Sequence, residues 1–340
     1  MELSAQNKNH TMREKVLVIG LGQLGLPVAK YVKEKGFDTY GFDINSRTME
    51  AASMNYGIKE TETFSDIDVF ILCISTHKPD DIYSPYIDGL LAVAEKISKE
   101  AKDGSLVSIE STIPKGTSKR IFEMLNHRLH VAHAPHRWYA LEEDVHGVNQ
   151  LRVIGGVSDC CLRLALRFYD GRNNNLSNMG EAVISDFRSI ENKHKNNKNG
   201  DNIDTDSRID IRDHCSLEIP MHPVSEIEIA ELTKVIENAN RYMQIAFAED
   251  LYLYCQSNNI NFNELRDALN TKWNVEILEP RDGIGGHCLP KDTKMFVKST
   301  RSIRSKILTA AMEVDSDYRK YRDTRCSPLL SVTSSKVDAI

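Results

Sequence analysis

No apolar run in the sequence approaches the ~20 residues that a membrane-spanning helix requires. A basic excess is also missing. Lys and Arg total 43 against 49 Asp and Glu, a net charge of −6, which gives no drive toward nucleic-acid phosphates or anionic lipid. No Cys-x-x-Cys occurs, and the seven cysteines (73, 160, 161, 215, 255, 288 and 326) are scattered and odd in number. That speaks against a disulfide framework or a structural zinc site, so no metal is expected. Met1 to Lys15 is polar and lacks the hydrophobic stretch of a signal peptide. There is no internal repeat. With 41% hydrophobic and 27% charged residues, wholesale disorder and a fibrous architecture are excluded. A soluble cytoplasmic chain is expected, and 340 residues suit two medium domains.

What is present begins with Val16-Leu17-Val18-Ile19, a buried-strand pattern that runs at once into Gly20-Leu21-Gly22-Gln23-Leu24-Gly25. Val28 to Lys35 continues at helical spacing and stops at Gly36, and Thr39 to Asp43 reads as a second strand. Strand-like runs recur at 68–74, 105–110, 129–134 and 151–154, with helical stretches at 87–99, 118–125 and 159–169. This alternation predicts an α/β fold, a Rossmann-type doubly wound parallel sheet over 15–186 behind a flexible tail at 1–14. The Asn-, Asp- and Lys-rich stretch 188–215 has too little apolar surface to order itself, so 187–224 is expected to be a low-complexity insertion and linker. A long helix from Ser225 to about Gln256 would span about 45 Å. With helices at 263–269 and 302–321 it makes 225–321 a mainly helical central domain.

Four segments carry candidate chemistry. Gly20, Gly22 and Gly25 lie between a strand and a helix, where glycines let the backbone approach a pyrophosphate and the helix N-terminus offers free N–H groups. Asp43 follows Gly22 by 21 residues at the end of the next strand. A carboxylate there accepts both ribose hydroxyls and repels a 2′-phosphate, which favours NAD over NADP. Gly285-Gly286-His287-Cys288-Leu289-Pro290-Lys291-Asp292 puts a cysteine in a glycine-rich loop beside a cation, the setting of a thiolate nucleophile. Lys234 and Asn238 are four apart on the long helix and share a face. Ser111-Thr112-Ile113-Pro114-Lys115-Gly116-Thr117 follows the strand ending at Glu110, on the sheet edge where open α/β folds bind ligands. Each segment alone also reads more plainly, as a ligand-free turn, an inert loop cysteine, a solvated helix face and a helix cap.

In this order the four motifs resemble the UDP-glucose/GDP-mannose dehydrogenase family, the nucleotide-sugar 6-dehydrogenases, over roughly Lys15 to Tyr321. Gly41-Phe42-Asp43-Ile44-Asn45 and Val153-Ile154-Gly155-Gly156 extend the likeness. His287 makes the cysteine loop similar to that of members acting on UDP-N-acetylglucosamine or UDP-N-acetylmannosamine. The resemblance implies oxidation of a sugar CH₂OH to a carboxylate with two NAD⁺ in turn, for polysaccharide or glycan biosynthesis. It implies that Cys288 captures the aldehyde, Lys234 stabilises the oxyanion, Asn238 holds the sugar or a water, Asp292 acts as base or orients water, and Thr112 hydrogen-bonds that water. It also implies cofactor contacts from Gly20, Gly22, Gln23, Leu24, Gly25, Asp43, Thr76, Thr112 and Arg325. Substrate contacts would come from His136, Arg137, Lys234, Asn238, Gly285, Gly286 and His287, and a homodimer would form through the long helix.

Two departures stand out. Where the family has a Pro-Glu pair after the fifth strand, this chain reads Pro135-His136. The family's third, nucleotide-gripping domain is represented only by 322–340, where Arg322-Asp323-Thr324-Arg325-Cys326-Ser327-Pro328 resembles one of its motifs. Two alternatives therefore stay open on the residues: a catalytically impaired NAD-binding relative, or a dehydrogenase of the 6-phosphogluconate or β-hydroxyacid type.

Overall fold

Val16-Leu17-Val18-Ile19 and Val69-Phe70-Ile71-Leu72 are apolar without alternation, which is how strands read when both faces are covered. In the computed structural model, which describes residues 13–77, 86–138, 142–171, 216–286, 288–299 and 305–326, they lie side by side in the middle of a sheet. The strands are β1 (Lys15–Ile19), β2 (Asp38–Phe42), β3 (Lys59–Glu60), β4 (Val69–Leu72), β5 (Leu106–Ile109), β6 (His130–His133), β7 (Arg152–Gly156) and β8 (Met221–Pro223). Their spatial order is β3-β2-β1-β4-β5-β6-β7-β8, and every neighbouring pair is parallel except β6 with β7. The reversal from β1 to β4 opens a crevice at the carboxyl ends of the strands.

Helices cover both faces. On one, α1 (Gly25–Glu34) and α6 (Asp159–Asp170) bury Val28, Ala29, Val32, Leu162, Ala165 and Phe168 against β1, β4 and β7. On the other, α3 (Asp88–Glu100) and α4 (Thr117–Met124) with its cap Leu125 bury Leu90, Ala94, Ile97, Ile121 and Leu125 against Leu17, Phe70, Val107 and Val131. Fully burying one such side chain contributes about 1.5–3 kcal/mol. Two further helices are α2 (Ser46–Tyr56) and the short α5 (Glu143–His146). Helix α2 has a weak apolar pattern, but its ends are well marked. Asn45 accepts from the Arg47 N–H at the start, and Gly57 ends it with a φ of 60°.

The remaining helices are α7 (Ile227–Asn258), α8 (Phe262–Asn270), α9 (Cys288–Ser299) and α10 (Lys306–Cys326). The chain divides into two compact units. The first reaches Thr76 and runs again from Tyr86 to Lys234, and the second holds His77 and the chain from Val235. The core of the second unit is Tyr242, Ala246, Ile284 and Ala311, with Met243, Ile245, Leu289, Met312 and Val314 packed around it. Among the described residues no helix is long and apolar enough to cross a membrane. Residues 1–12 of the expected tail, 172–186 of the expected Rossmann-type domain, 187–215 of the expected insertion, His287 and residues 327–340 lie outside the described residues.

Candidate active site

The glycine loop is built by close approaches of the backbone. Gly20 leaves β1 with a φ of 87°, and a Cβ on it would stand 2.7 Å from the Cys73 carbonyl oxygen. At Gly25, the first residue of α1, a Cβ would fall 1.7 Å from the Gly20 carbonyl oxygen. Gly22 instead faces open space, so a phosphate can approach its backbone. Leu24 caps α1 without any side-chain hydrogen bond, and since the Leu26 N–H reaches the Gly22 carbonyl and Pro27 has none, the Gly25 N–H is what the first turn leaves to an anion. Gln23 beside it is exposed. Asp43 accepts from the Leu21 N–H at 2.7 Å and from the Asn45 N–H at 2.8 Å, one on each oxygen. Each oxygen keeps a free lone pair, enough for the two hydroxyls of a ribose. The cradle and the acid fit a dinucleotide. Across the same sheet edge, buried Thr76 donates to the Thr112 carbonyl at 2.8 Å and joins the ends of β4 and β5.

Beyond β5 lies a buried ionic cluster. Glu110 is 1% exposed and receives Arg152 Nη1 at 3.0 Å and the Tyr169 hydroxyl at 2.5 Å on one oxygen. Its other oxygen contacts His136 Nε2. Burial alone would raise the Glu110 pKa, but the neighbouring His136, Arg152 and Tyr169 outweigh it and hold it at about 2. Burial, with Arg152 adding to it, lowers His136 to about 4 despite the attraction of Glu110. The imidazole is therefore neutral near pH 7. With Glu110 ionised beside Nε2, the ring proton belongs on Nε2, and Nδ1 is left as an acceptor without a partner among the described residues. Arg137 turns aside and donates to the Leu151 carbonyl at 3.1 Å.

The loop carrying Thr112 is held from α7. Glu231 is fully buried and accepts from the Gly116 N–H at 2.5 Å and the Ser118 N–H at 2.8 Å, capping α4 at its positive end. Lys234, one turn further along α7, is partly buried.

In the second unit, the expected cysteine loop ends sooner than its sequence implies. Cys288 is already the first residue of α9, with Pro290 in the first turn, where a missing N–H costs nothing. Cys288 is exposed, and Gly285 and Gly286 before it are exposed too. Gly286 needs its φ of 70°, while a Cβ on Gly285 would meet nothing. One turn past the cysteine, buried Asp292 accepts from Asn238 Nδ2 and pairs with Lys291 Nζ at 2.7 Å. The Asn238 turn of α7 and the turn opened by Cys288 are thereby joined. Arg325 lies in the last turns of α10.

The approach to Cys288 is clamped by α10. Asp315 accepts from the Ile284 N–H at 3.2 Å, from Arg319 Nε at 3.0 Å and from the Tyr242 hydroxyl at 2.9 Å. Arg319 also donates to the Ile284 carbonyl, so both polar groups of that residue are fixed. Tyr318 donates to the Arg281 carbonyl at 2.7 Å, and Arg322 reaches Asp282 at 2.6 Å. Glu110, Arg152, Glu231, Asp315 and Arg319 were not among the residues expected from sequence. A charged residue opening an apolar strand, as Arg152 does before Val153-Ile154, is the one signal that could have found any of them.

Models of the UDP-glucose/GDP-mannose dehydrogenase family match twice, the NAD-binding domain over residues 49–171 and the central domain over 228–317. The UDP-N-acetyl-D-mannosamine dehydrogenase of Methanococcus maripaludis is 27% identical over 94% of this chain and 68% of its own length. The NDP-N-acetyl-D-galactosaminuronic acid dehydrogenase of Ralstonia nicotianae is 25% identical over 88% and 68%. The solved UDP-D-ManNAc dehydrogenase of Pyrococcus horikoshii matches the fold with a TM-score of 0.68 at 24% identity, over 91% of this chain and 70% of that one. The glycine cradle and Asp43 precede the part that matches the NAD-binding model, which begins at residue 49, and the Cys288 turn lies within the part that matches the central one. The chain belongs to the UDP-glucose/GDP-mannose dehydrogenase family, and it is an NAD-dependent oxidoreductase of nucleotide sugars.

Proposed function

We propose that the chain oxidises the C6 hydroxymethyl of a UDP-N-acetylhexosamine to the uronate through covalent capture on Cys288, for polysaccharide or glycan biosynthesis. The observation that carries this reading is the exposed Cys288 thiol at the start of α9, one turn from an Asp292 that engages both Asn238 and Lys291. The positive end of a helix favours an anionic sulfur, and an exposed thiolate is a nucleophile. NAD, when bound at the glycine cradle, accepts the electron pair released in each oxidation. Cys288 adds to the aldehyde carbon as a thiohemiacetal, and the second oxidation leaves a thioester that water cleaves to free the thiol and the carboxylate. Lys234 stabilises the oxyanion. Asp292, with Thr112, directs water, and Asn238 positions the sugar. His136, Arg137, Gly285, Gly286 and His287 contact the substrate, and Arg325 the cofactor.

In this reading 15–186 holds the cofactor, and 225–321 supplies the cysteine turn and the dimer. Ile236, Phe247 and Tyr254 of α7 are all large, apolar and well exposed. Their spacing of 11 and 7 puts them on one helix face, a stripe about 27 Å long that suits a second copy of α7. Cys73, Cys160, Cys161, Cys255 and Cys288 are thiols and not disulfides, which suits a reducing cytoplasm.

The test is the NADH formed per molecule of limiting UDP-N-acetylmannosamine, UDP-N-acetylglucosamine, UDP-glucose or GDP-mannose. Two per sugar with a UDP-N-acetylhexosamine is the expected result. No NADH from protein that still binds NAD would overturn the reading. Cys288→Ala should abolish turnover and leave NAD binding intact, whereas a β-hydroxyacid-type enzyme would remain active. A second reading rests on His136, which is 5% exposed and engaged by Glu110. If the chemistry needs a free acid at that position, oxidation stalls before the carboxylate is released, and one NADH per sugar would show it.

A further inference from the structure

The edge of the sheet opposite the glycine cradle carries a group of side chains with no part in the chemistry above. His130 opens β6, and Cys160 and Cys161 lie in the first turn of α6, just after the antiparallel β7 has returned the chain to that edge. One donor atom of His130 and both sulfurs lie within 4.8 Å of one another. Ser158 caps the same turn, its hydroxyl 3.1 Å from the Cys160 sulfur and 3.0 Å from that of Cys161. The Val131 N–H points at the Cys161 sulfur at 3.5 Å.

We propose that His130, Cys160 and Cys161 form a binding site for a thiophilic divalent cation of the zinc class, with water or the Ser158 hydroxyl in the fourth position. An imidazole and two thiolates are the soft donor set that selects such ions over magnesium or calcium. Tetrahedral zinc holds sulfur and nitrogen donors about 3.5–4 Å apart, so small side-chain rotations close the cluster around an ion. The ligands come from the start of a strand and the start of a helix, so the cation would staple α6 to β6. Cys-x-x-Cys spacing, the usual sequence sign of zinc, is absent because the two thiols are adjacent and the third ligand precedes them by 30 residues. His130 is half-buried and Cys160 exposed, which gives the ion a path of entry, while Cys161 is buried.

Cobalt(II) titration of the reduced, metal-free full chain tests the site, in a Cys288→Ala background that removes the exposed thiol of the second unit. The expected result is binding of one equivalent with a thiolate-to-cobalt charge-transfer band and tetrahedral visible bands. Zinc should displace the cobalt and raise Tm. Cys160→Ser, at an exposed position where folding is not at risk, should lose the charge-transfer intensity and most of the affinity, and His130→Asn should weaken binding. No stoichiometric band in the parent overturns the proposal. So does a band that survives unchanged in Cys160→Ser, since the ion would then sit on other cysteines. A pair that only oxidises, losing two hydrogens by mass without taking up metal, overturns it as well.

Discussion

Glu110 of the first unit and Glu249 of the second are buried alike, at 1% and 0% exposure, yet their carboxyls behave oppositely. Glu110 is held at about 2, while Glu249 is pushed up to about 8. Desolvation acts on both in the same direction, so the difference lies in what surrounds them. Glu110 has a guanidinium, a phenol and an imidazole against its two oxygens. Neither oxygen of Glu249 has a hydrogen-bond partner among the described residues, and the carboxylate of Asp315 lies near enough to raise it further, only partly offset by Arg319. A buried acid is thus a fixed charge in one unit and a neutral carboxyl in the other. The fixed charge stands at the end of β5, directly before the Ser111–Thr117 loop. The neutral one lies beside Gly283, whose Cβ position is 3.6 Å from a Glu249 oxygen, under the segment leading to Cys288.

The comparison breaks most severely if Glu110 is stripped of its cation. Arg152→Leu leaves a buried charge without compensation and should cost about 3–5 kcal/mol, measured by urea unfolding near neutral pH. The pH dependence should change with it. Because its folded pKa is depressed, Glu110 contributes stability that is present above the ordinary carboxylate range and lost as pH falls toward 2. His136, neutral in the fold down to about 4 but charged in the unfolded chain below about 6.5, removes stability over that descent. Arg152→Leu should move acid unfolding to higher pH. An unchanged acid limb would mean that Arg152 does not hold the charge.

At Glu249 the sign reverses. The folded protein keeps its proton up to about 8 while the unfolded chain loses it in the ordinary carboxylate range, so stability should decline as pH rises between them. At neutral pH that deficit is roughly 3 kcal/mol. Glu249→Gln, which cannot ionise, should flatten the decline, seen as Tm values that converge between about pH 5 and pH 8. A decline of unchanged slope would show that Glu249 does not carry it.

These two acids also mark where sequence reading stops. The doubly wound sheet was legible because unbroken apolar strands alternate with amphipathic helices, and the glycine cradle because Gly20 and Gly25 are required by backbone contacts that nothing larger can satisfy. The 225–256 helix was legible from its proline-free periodicity, and it spans Ile227–Asn258. Helix α2 was not, since only Met49 and Ala52 of its residues are buried and its cap is a single asparagine. Nor was α9, because a segment that opens with Cys-Leu-Pro after two glycines reads as loop until Asp292 and Asn238 are seen to hold its first turn. Glu110 and Glu249 stayed hidden for a different reason. A carboxylate's role depends on partners 42 residues away for Glu110–Arg152, and on none at all for Glu249, and neither state leaves a local pattern.

Asp315 connects the neutral acid to the proposed chemistry. Asp315→Asn keeps the oxygen that accepts from both the Ile284 N–H and Arg319 Nε, but it sets an amide NH2 where the Tyr242 hydroxyl now donates and removes the charge that holds the Arg319 guanidinium. Ile284 precedes Cys288 by four residues, so a loosened clamp misplaces the thiol without touching the cradle at Gly20–Gly25. Roughly tenfold lower kcat, about 1.4 kcal/mol, is expected with KM nearly unchanged. The same substitution removes a charge that raises Glu249, so the decline in stability with rising pH should become shallower and end at lower pH. A loss that appears in KM alone would place Asp315 with substrate binding and not with positioning.

Glu231 supplies the intermediate case and the smallest effect. It is as buried as the other two, and it has partners, but they are the neutral N–H groups of Gly116 and Ser118. Burial outweighs those donors, and its pKa is raised. Full compensation therefore needs a cation, as at Glu110, while backbone donors and the end of α4 cover only part of the cost of burial. Glu231→Gln retains one acceptor for two N–H groups and should lose about 1 kcal/mol at neutral pH. With the folded pKa raised, the parent loses stability as pH rises through the carboxylate range and the variant does not, so the deficit of the variant should be larger at mildly acid pH than at neutral pH. Parallel stability curves for the two proteins would mean that the cap works by shape alone, and that charge plays no part in holding the Thr112 loop.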